Sequence, residues 1–171
     1  MTRLVRPATD ADLDAIAGIY AHYVRDTTVT FEEEPPSPAE MGARVAKVRD
    51  AGHEWLVAEV DGVVRGYAYA APWHARRGYR TSCEITVYLA HDAIGQGHGS
   101  ALYRTLFAGL EARGMHVVMA GIGLPNAASV ALHEKFGMTK VAHYAEIGAK
   151  FGRWVDVGWW QRIFPGAPPH D

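Results

Sequence analysis

"CEITVYLAHDAIGQGHGSALYRTLFAGLEARG", Cys83 to Gly114, is the stretch on which the fold turns. It begins with β-branched and aromatic residues, the composition of a strand. Alternation places Glu84, Thr86 and Tyr88 on one face and Ile85, Val87 and Leu89 on the other. It ends as an amphipathic helix. Between the two, Gly95, Gly97 and Gly99 fall within five positions. Glycine allows φ > 0 and lets a ligand approach the backbone closely. At a helix N-terminus the unpaired N–H groups and the dipole favour an anion. Strand, glycine turn and helix in succession read as a phosphate-binding unit; a glycine-rich turn holding no ligand is the alternative.

Two nucleotide-binding motifs use the same device, and neither fits. A Rossmann fingerprint needs a third glycine where Ser100 stands, and an acidic residue about 20 positions further on, which is missing. A P-loop needs Gly-Lys-Ser/Thr, and the chain contains no such tripeptide.

Downstream, "HVVMAGIG" reads as a strand and "PNAASVALHEKFG" as a short helix closed by Gly137. "KVAHYAEIGAKFGRWVDVGWWQRIF" reads as two strands joined near Gly152. Upstream, "EWLVAEVDGVVRGYAYA" is a hairpin turning at Asp61-Gly62. "RLVRPA" is a first strand, and Thr9 with Asp12 forms a capping box before a stripe of Leu13, Ile16, Tyr20, Tyr23 and Val24. "TTVTFEEE" is β-like and is expected to form a further strand, ended by "PPSP". Ser37, Pro38 and Glu40 then open a helix with Met41, Val45 and Val48 inside and Gly52 as its stop. The predicted order is β-α-β-α-β-β-β-α-β-α-β-β, as one domain over residues 1–171.

Composition narrows the function classes. With 49% hydrophobic and 21% charged residues, the chain has ample core for a globular domain. A formal net charge of -2 leaves no basic field for nucleic acid or an anionic membrane. No apolar run follows the N-terminal arginines and none approaches ~20 residues, so neither a signal peptide nor a membrane span is expected, and the cytoplasm is the expected compartment. A single cysteine excludes an intramolecular disulfide and a cysteine zinc site; Cys83 faces away from Glu84 and reads as core. "HEKFG" lacks the second zincin histidine because Gly137 takes its place, so no metal is expected.

The glycine turn resembles the pyrophosphate loop of the GNAT superfamily of N-acetyltransferases. "NAASVALHEKFGM" is similar to that family's N-x-x-A-x-x-L-Y-x-K-x-G-F element, with Asn126, Ser129, Leu132, His133, Lys135, Gly137 and Met138 in register. Within the superfamily, "TTVTFEEEPPS", "YAYAAPWHARRGYRTSCEITVYLA" and "GAKFGRWVDVGWWQ" resemble the branch acting on phosphinothricin, methionine sulfone and methionine sulfoximine, over roughly Val5 to Phe164. The resemblance implies a mixed α/β (α+β) GNAT fold: a mostly antiparallel central sheet of about seven strands flanked by helices, with a splayed parallel strand pair. It implies acetyl-CoA as co-substrate, with the diphosphate on the backbone of Gly95, Gln96, Gly97, His98, Gly99 and Ser100. The pantetheine arm would lie beside Val87, Tyr88, Leu89, Asn126 and Ser129. Glu84 matches the family's general base, and Phe31, Arg76, Tyr79 and Thr86 match its substrate pocket, where Trp73 and His74 also belong. A homodimer is the family's habit, and the apolar "VGWWQ" end fits an interface.

Chemistry asks for much the same. An amine attacks a thioester only when neutral, and an α-amino group has a reference pKa near ~8. A general base contributes about 10²–10⁴-fold. Partial burial would raise Glu84 towards the working range; a strand-edge glutamate paired with an arginine is the alternative. Backbone N–H groups from Thr86 to Tyr88 are natural donors to the charged oxygen. His133, at the family's tyrosine position, is the expected acid for the thiolate, with Tyr88 behind it. Arg76, Arg77 and Arg80 flank Gly78-Tyr79; a guanidinium fork there would hold a carboxylate or phosphinate, Arg76 first and Arg77 as a solvated neighbour. Phe31 and Trp73 are pocket walls or plain core. The expected activity is acetyl transfer to the α-amine of a small amino-acid analogue. A protein N-terminus or a polyamine as acceptor, and a non-catalytic acyl-CoA-binding module, are the rivals.

Overall fold

Alternating apolar and polar residues, punctuated by tight turns, build most of the sheet. The computed structural model describes residues 3–166, 168 and 169; the expected domain limits Met1 and Asp171 lie outside them. In chain order the elements are β1 (Arg3–Pro7), α1 (Leu13–Asp26), α2 (Pro38–Asp50), β2 (Trp55–Val60), β3 (Val63–Pro72) and β4 (Ser82–Leu89). They continue with α3 (His98–Ala112), β5 (Val117–Leu124), α4 (Ala127–Lys135), β6 (Thr139–Lys150) and β7 (Arg153–Ile163). The sheet runs β1-β2-β3-β4-β5-β7-β6. Every neighbouring pair is antiparallel except β4 and β5.

That parallel pair positions the site. It is in register only at Ser82–Val117, Cys83–Val118 and Glu84–Met119. β4 runs on to Leu89 and β5 to Leu124, so the strands part beyond Glu84. α3 covers one face of the sheet, where Leu102, Tyr103, Leu106 and Leu110 pack on Cys83, Ile85 and Val118. α1 and α2 cover the other, where Ile16, Tyr20, Met41 and Val45 pack on Trp55, Val57 and Tyr67. The two faces of β4 thus serve different cores, as alternation requires. Cys83 is fully buried, and burial pushes its thiol up to about 12, which rules it out as a nucleophile at neutral pH. No helix among the described residues is long and apolar enough to cross a membrane.

One expectation is corrected. "TTVTFEEE" forms no strand: after α1 the segment 27–37 runs to α2 without joining the sheet. β-branched composition marks a residue that suits a pleated surface, but a strand also needs a partner edge. Here side chains hold the segment instead. Thr30 Oγ1 bonds Tyr20 Oη at 2.7 Å, Arg44 Nη1 donates to Glu32 Oε2 at 2.9 Å, and Lys150 Nζ donates to the Thr30 carbonyl at 2.8 Å. The "VGWWQ" end lies on β7, with Gly158 and Trp160 buried and Val157, Trp159 and Gln161 partly buried. Trp160 is buried, and Trp159 lies where a Cβ on Gly121 would come within 3.1 Å of its ring. Exposed apolar residues on the β6–β7 hairpin include Tyr144, Ile147, Phe151 and Trp154.

The entry to α1 carries the most buried ion pair. Thr9 and Asp12 form the expected box around a 3-10 turn, Asp10–Asp12, with the Thr9 N–H donating to Asp12 Oδ2 at 2.7 Å. Arg6 holds both Asp12 oxygens at 2.8 Å and also bonds Glu59. The Arg6 guanidinium lowers the Asp12 carboxyl to about 2. A depressed carboxyl stabilises the fold above its unfolded value of 3.8 and loses that contribution as pH falls towards 2. Asp12→Ala is expected to destabilise by roughly 2 kcal/mol at pH 7, since Glu59 still partners Arg6. At about 2–4 °C per kcal/mol, the melting temperature should drop by about 4–8 °C. The gap should narrow as pH approaches 2; a gap constant with pH would assign the effect to packing.

Candidate active site

The parted strands enclose a cleft of about 330 Å³, at the small end of roughly 300–1,000 Å³ for small-molecule sites. β4 contributes Glu84 through Leu89, β5 contributes Gly121 through Gly123, and α4 contributes Asn126, Ser129, Leu132 and His133. Beyond Glu84 the β5-facing edge of β4 has no strand partner, so its backbone groups face the cleft.

The glycine turn follows Ile94, which lines the cleft, but Gly95 through Ser100 do not line it. Gly97 caps α3 with φ 82 and ψ 8, and Gly95 has φ 80. Nothing stands within 4 Å of where a Cβ on Gly95 would sit, so open space, not packing, adjoins it. Gln96 is exposed and its Nε2 donates to the Asp92 carbonyl at 2.8 Å, whereas His98 is buried. Burial lowers the His98 pKa, and Arg3 and Arg65 lower it further. Arg3 Nη2 donates to the Gln96 carbonyl at 2.6 Å. The side chains thus brace the loop, Gly99 packs under Leu132, and the outward donors are backbone N–H groups at the α3 N-terminus.

Glu84 faces the cleft partly buried, and burial alone raises its pKa above the usual 4.5. No salt bridge among the described residues involves it, so pairing with an arginine is not its role here. Thr86 stands opposite Tyr69 of β3. Tyr88 is wedged between Tyr20 and Tyr23, with ring centroids at 5.0 and 4.9 Å, and burial pushes it well above the usual tyrosine range. Asn126 caps α4 by accepting the Ser129 N–H at 3.2 Å, which leaves its own amide NH₂ for a ligand.

His133 lines the cleft, but its nitrogens are engaged elsewhere. A carbonyl only accepts, so Nδ1 must donate to the Ser129 carbonyl at 2.7 Å. Nε2 then accepts from the Tyr103 hydroxyl at 2.8 Å. Burial lowers the pKa of the ring, which favours this neutral tautomer. The arrangement works against the expected acid role, because no proton of the ring is aimed at the cleft.

The remaining expected substrate residues do not line the cleft. Tyr79, His74, Trp73 and Trp159 form a file of edge-on rings 5.0–5.2 Å apart, ending on Gly121. Phe31 lies against Gly148 of β6. Arg76 and Arg77 are exposed around a 3-10 turn, Arg77–Tyr79. Sequence reasoning missed Tyr23, Val29, Gly121 and Gly123 as cleft residues. The two glycines did carry a signal, since at period 2 they leave one strand face bare for a close approach. Among the described residues no three His, Cys, Asp or Glu side chains are placed to hold a metal ion.

Residues 5–159 match the model of a family described as acetyltransferase (GNAT) domain. The chain belongs to the GNAT acetyltransferases. A phosphinothricin N-acetyltransferase of Streptomyces viridochromogenes is 47% identical over 96% of this chain and 90% of its own length. An L-methionine sulfoximine/L-methionine sulfone acetyltransferase of Pseudomonas aeruginosa is 36% identical over 94% of each. A solved GNAT phosphinothricin acetyltransferase of Sinorhizobium meliloti, in complex with acetyl-CoA, superposes with a TM-score of 0.91 at 38% identity, covering 95% of this chain and 89% of that one. This GNAT protein is an acetyltransferase of the phosphinothricin N-acetyltransferase type, with a seven-stranded sheet that includes the parallel β4–β5 pair.

Proposed function

We propose that this enzyme transfers an acetyl group from acetyl-CoA to the α-amine of a small amino acid with an oxidised head, such as phosphinothricin, methionine sulfone or methionine sulfoximine. The observation that carries the reading is a desolvated carboxylate, Glu84, at the point where β4 and β5 part. The glycine loop follows Ile94 of the same cleft, Asn126 lines it, and its apolar walls fit a pantetheine arm. The names of the relatives supply the substrate class.

Acetyl-CoA supplies the activated acyl group; the chain does the rest. Loop N–H groups would hold the diphosphate, and the open edge of β4 would offer N–H donors to the carbonyl oxygen as it gains charge. Glu84 would take a proton from the substrate ammonium, directly or through water, so that the neutral amine attacks. The amine gives up a second proton on acylation and the leaving thiolate gains one; if Glu84 passes the first proton to solvent and relays the second to the thiolate, the step balances with one proton released and no separate acid. His133 would then act as a positioning residue, joining α4 to Tyr103. His133→Asn is expected to lower kcat by about 10-fold, a loss much smaller than that from removing Glu84. A loss matching the Glu84 variant, with a basic limb missing from the pH profile, would restore His133 as the acid.

Free-thiol release from acetyl-CoA tests the substrate reading. The panel holds phosphinothricin, methionine sulfone, methionine sulfoximine, common amino acids, spermidine and a short peptide. Turnover concentrated in the first three supports the reading. Turnover only with peptide or polyamine overturns the acceptor, and acetyl-CoA binding with no turnover at all favours a binding module.

A further inference from the structure

A second cavity, of about 90 Å³, is bounded by Tyr20 of α1, Arg44 of α2, Trp55 of β2, Tyr67 and Tyr69 of β3, and Thr86 of β4. Thr86 and Tyr88 also line the main cleft, so the two spaces adjoin at these side chains. Thr86 follows Glu84 on the same strand face, about 7 Å along. That spacing suits an amino acid whose amine meets Glu84 while three carbons carry its head to Thr86. The cavity has room for a few waters, or for a methyl-bearing sulfone, sulfoximine or phosphinate. Its aromatic walls suit the methyl group, and the hydroxyls of Tyr69 and Thr86 are potential donors to the oxygens. Trp55 adds a buried indole N–H that meets no acceptor among the described residues.

Charge separates the three heads. Among the described residues one charged side chain lines this cavity, Arg44. Its Nη1 donates to Glu32 Oε2 at 2.9 Å, and its Nη2 to the other oxygen. The guanidinium holds the Glu32 carboxyl below its usual range, so the pair stays ionised and its charges cancel. Lys150 also acts on Glu32 but does not line the cavity. A sulfone or sulfoximine entering here needs only donors. A phosphinate would lose its water without meeting an uncompensated cation, which is costly.

We propose that this cavity seats the oxidised head of the acceptor, and that the Arg44–Glu32 pair, by leaving it without net charge, selects a neutral sulfone or sulfoximine over an anionic phosphinate. The inference rests on the amino-acid reading of the acceptor, with its amine at Glu84. Exposed Arg76, in no ion pair among the described residues, is the competing seat, and it would favour the phosphinate.

Free-thiol release at varied acceptor gives kcat/KM for methionine sulfone, methionine sulfoximine, phosphinothricin and methionine. The sulfone and sulfoximine are expected to exceed phosphinothricin by about 10-fold, or about 1.4 kcal/mol, chiefly through KM. Glu32→Gln leaves Arg44 charged and is expected to raise phosphinothricin about 10-fold relative to the sulfone. The double variant Glu32→Gln with Arg44→Met is neutral again and should return the parent's order. An unchanged KM for acetyl-CoA checks that the cleft is intact in both. Phosphinothricin equal to or better than the sulfone in the parent would overturn the proposal and return the head to Arg76. A loss in Glu32→Gln shared by all four acceptors would also overturn it, making Glu32 a tie for segment 27–37. A parent that acetylates none of the four, but does acetylate spermidine or a peptide, would instead overturn the amino-acid reading itself, before any variant is compared.

Discussion

Glu84→Gln is expected to lower kcat by about 10²–10⁴-fold while leaving the affinity for acetyl-CoA unchanged. Glutamine keeps the shape and a hydrogen-bonding head but accepts no proton at neutral pH. Burial raises the Glu84 pKa above 4.5, so activity at saturating substrate should fall as pH drops through that raised value. The glutamine variant should lack this acid limb. Stability should move the other way. A carboxyl whose folded pKa is raised favours the protonated fold, so its ionisation costs stability as pH climbs past the unfolded value. The variant is therefore expected to melt higher than the parent at pH 7, with the gain vanishing near pH 4. Full turnover in Glu84→Gln would remove the base assignment, and a lower melting temperature at pH 7 would show that the carboxylate has a partner the desolvation argument overlooks.

The second large effect lies in the loop. Gly97→Val is expected to weaken CoA binding about 100-fold, read by calorimetry. With φ 82 the position is left-handed, which costs a side chain with a Cβ roughly 1–2 kcal/mol. Relief of that strain turns the first N–H groups of α3 away from the phosphates, at about 1.5–3 kcal/mol for each hydrogen bond to a charged group. The sum is near 3 kcal/mol, or about 10² in affinity. Gly97 is exposed, so the fold should survive, and an unchanged far-UV spectrum checks it. Undiminished CoA affinity would mean that the glycine cluster is a turn and nothing more.

The sequence was most readable where a signal is local. The path from Ser82 through the glycine turn to α3 follows from period-2 alternation and an N-terminal glycine, and the Ser37–Glu40 box marks the start of α2. It was least readable where the outcome depends on a distant partner. Segment 27–37 has strand-like residues but no free edge to join, and Tyr20, Arg44 and Lys150 hold it instead. The state of His133 is set by Tyr103, thirty positions away on another helix, and nothing beside His133 announces it. The pair Trp159-Trp160 looked like one apolar patch, although neighbours in a strand point to opposite faces. One side chain is in the core, and the other lies over Gly121.

The three register pairs joining β4 to β5 have a wider meaning. The sheet is in effect two half-sheets, one ending at β4 and the other beginning at β5, stitched at one end and left open at the other. A chain that zipped the seam shut would satisfy more of its own backbone and would be the sturdier protein. It would also have no place for a thioester. The enzyme keeps an unfinished sheet, and on the proposed reading the co-substrate would be the strand that completes it for the length of one turnover.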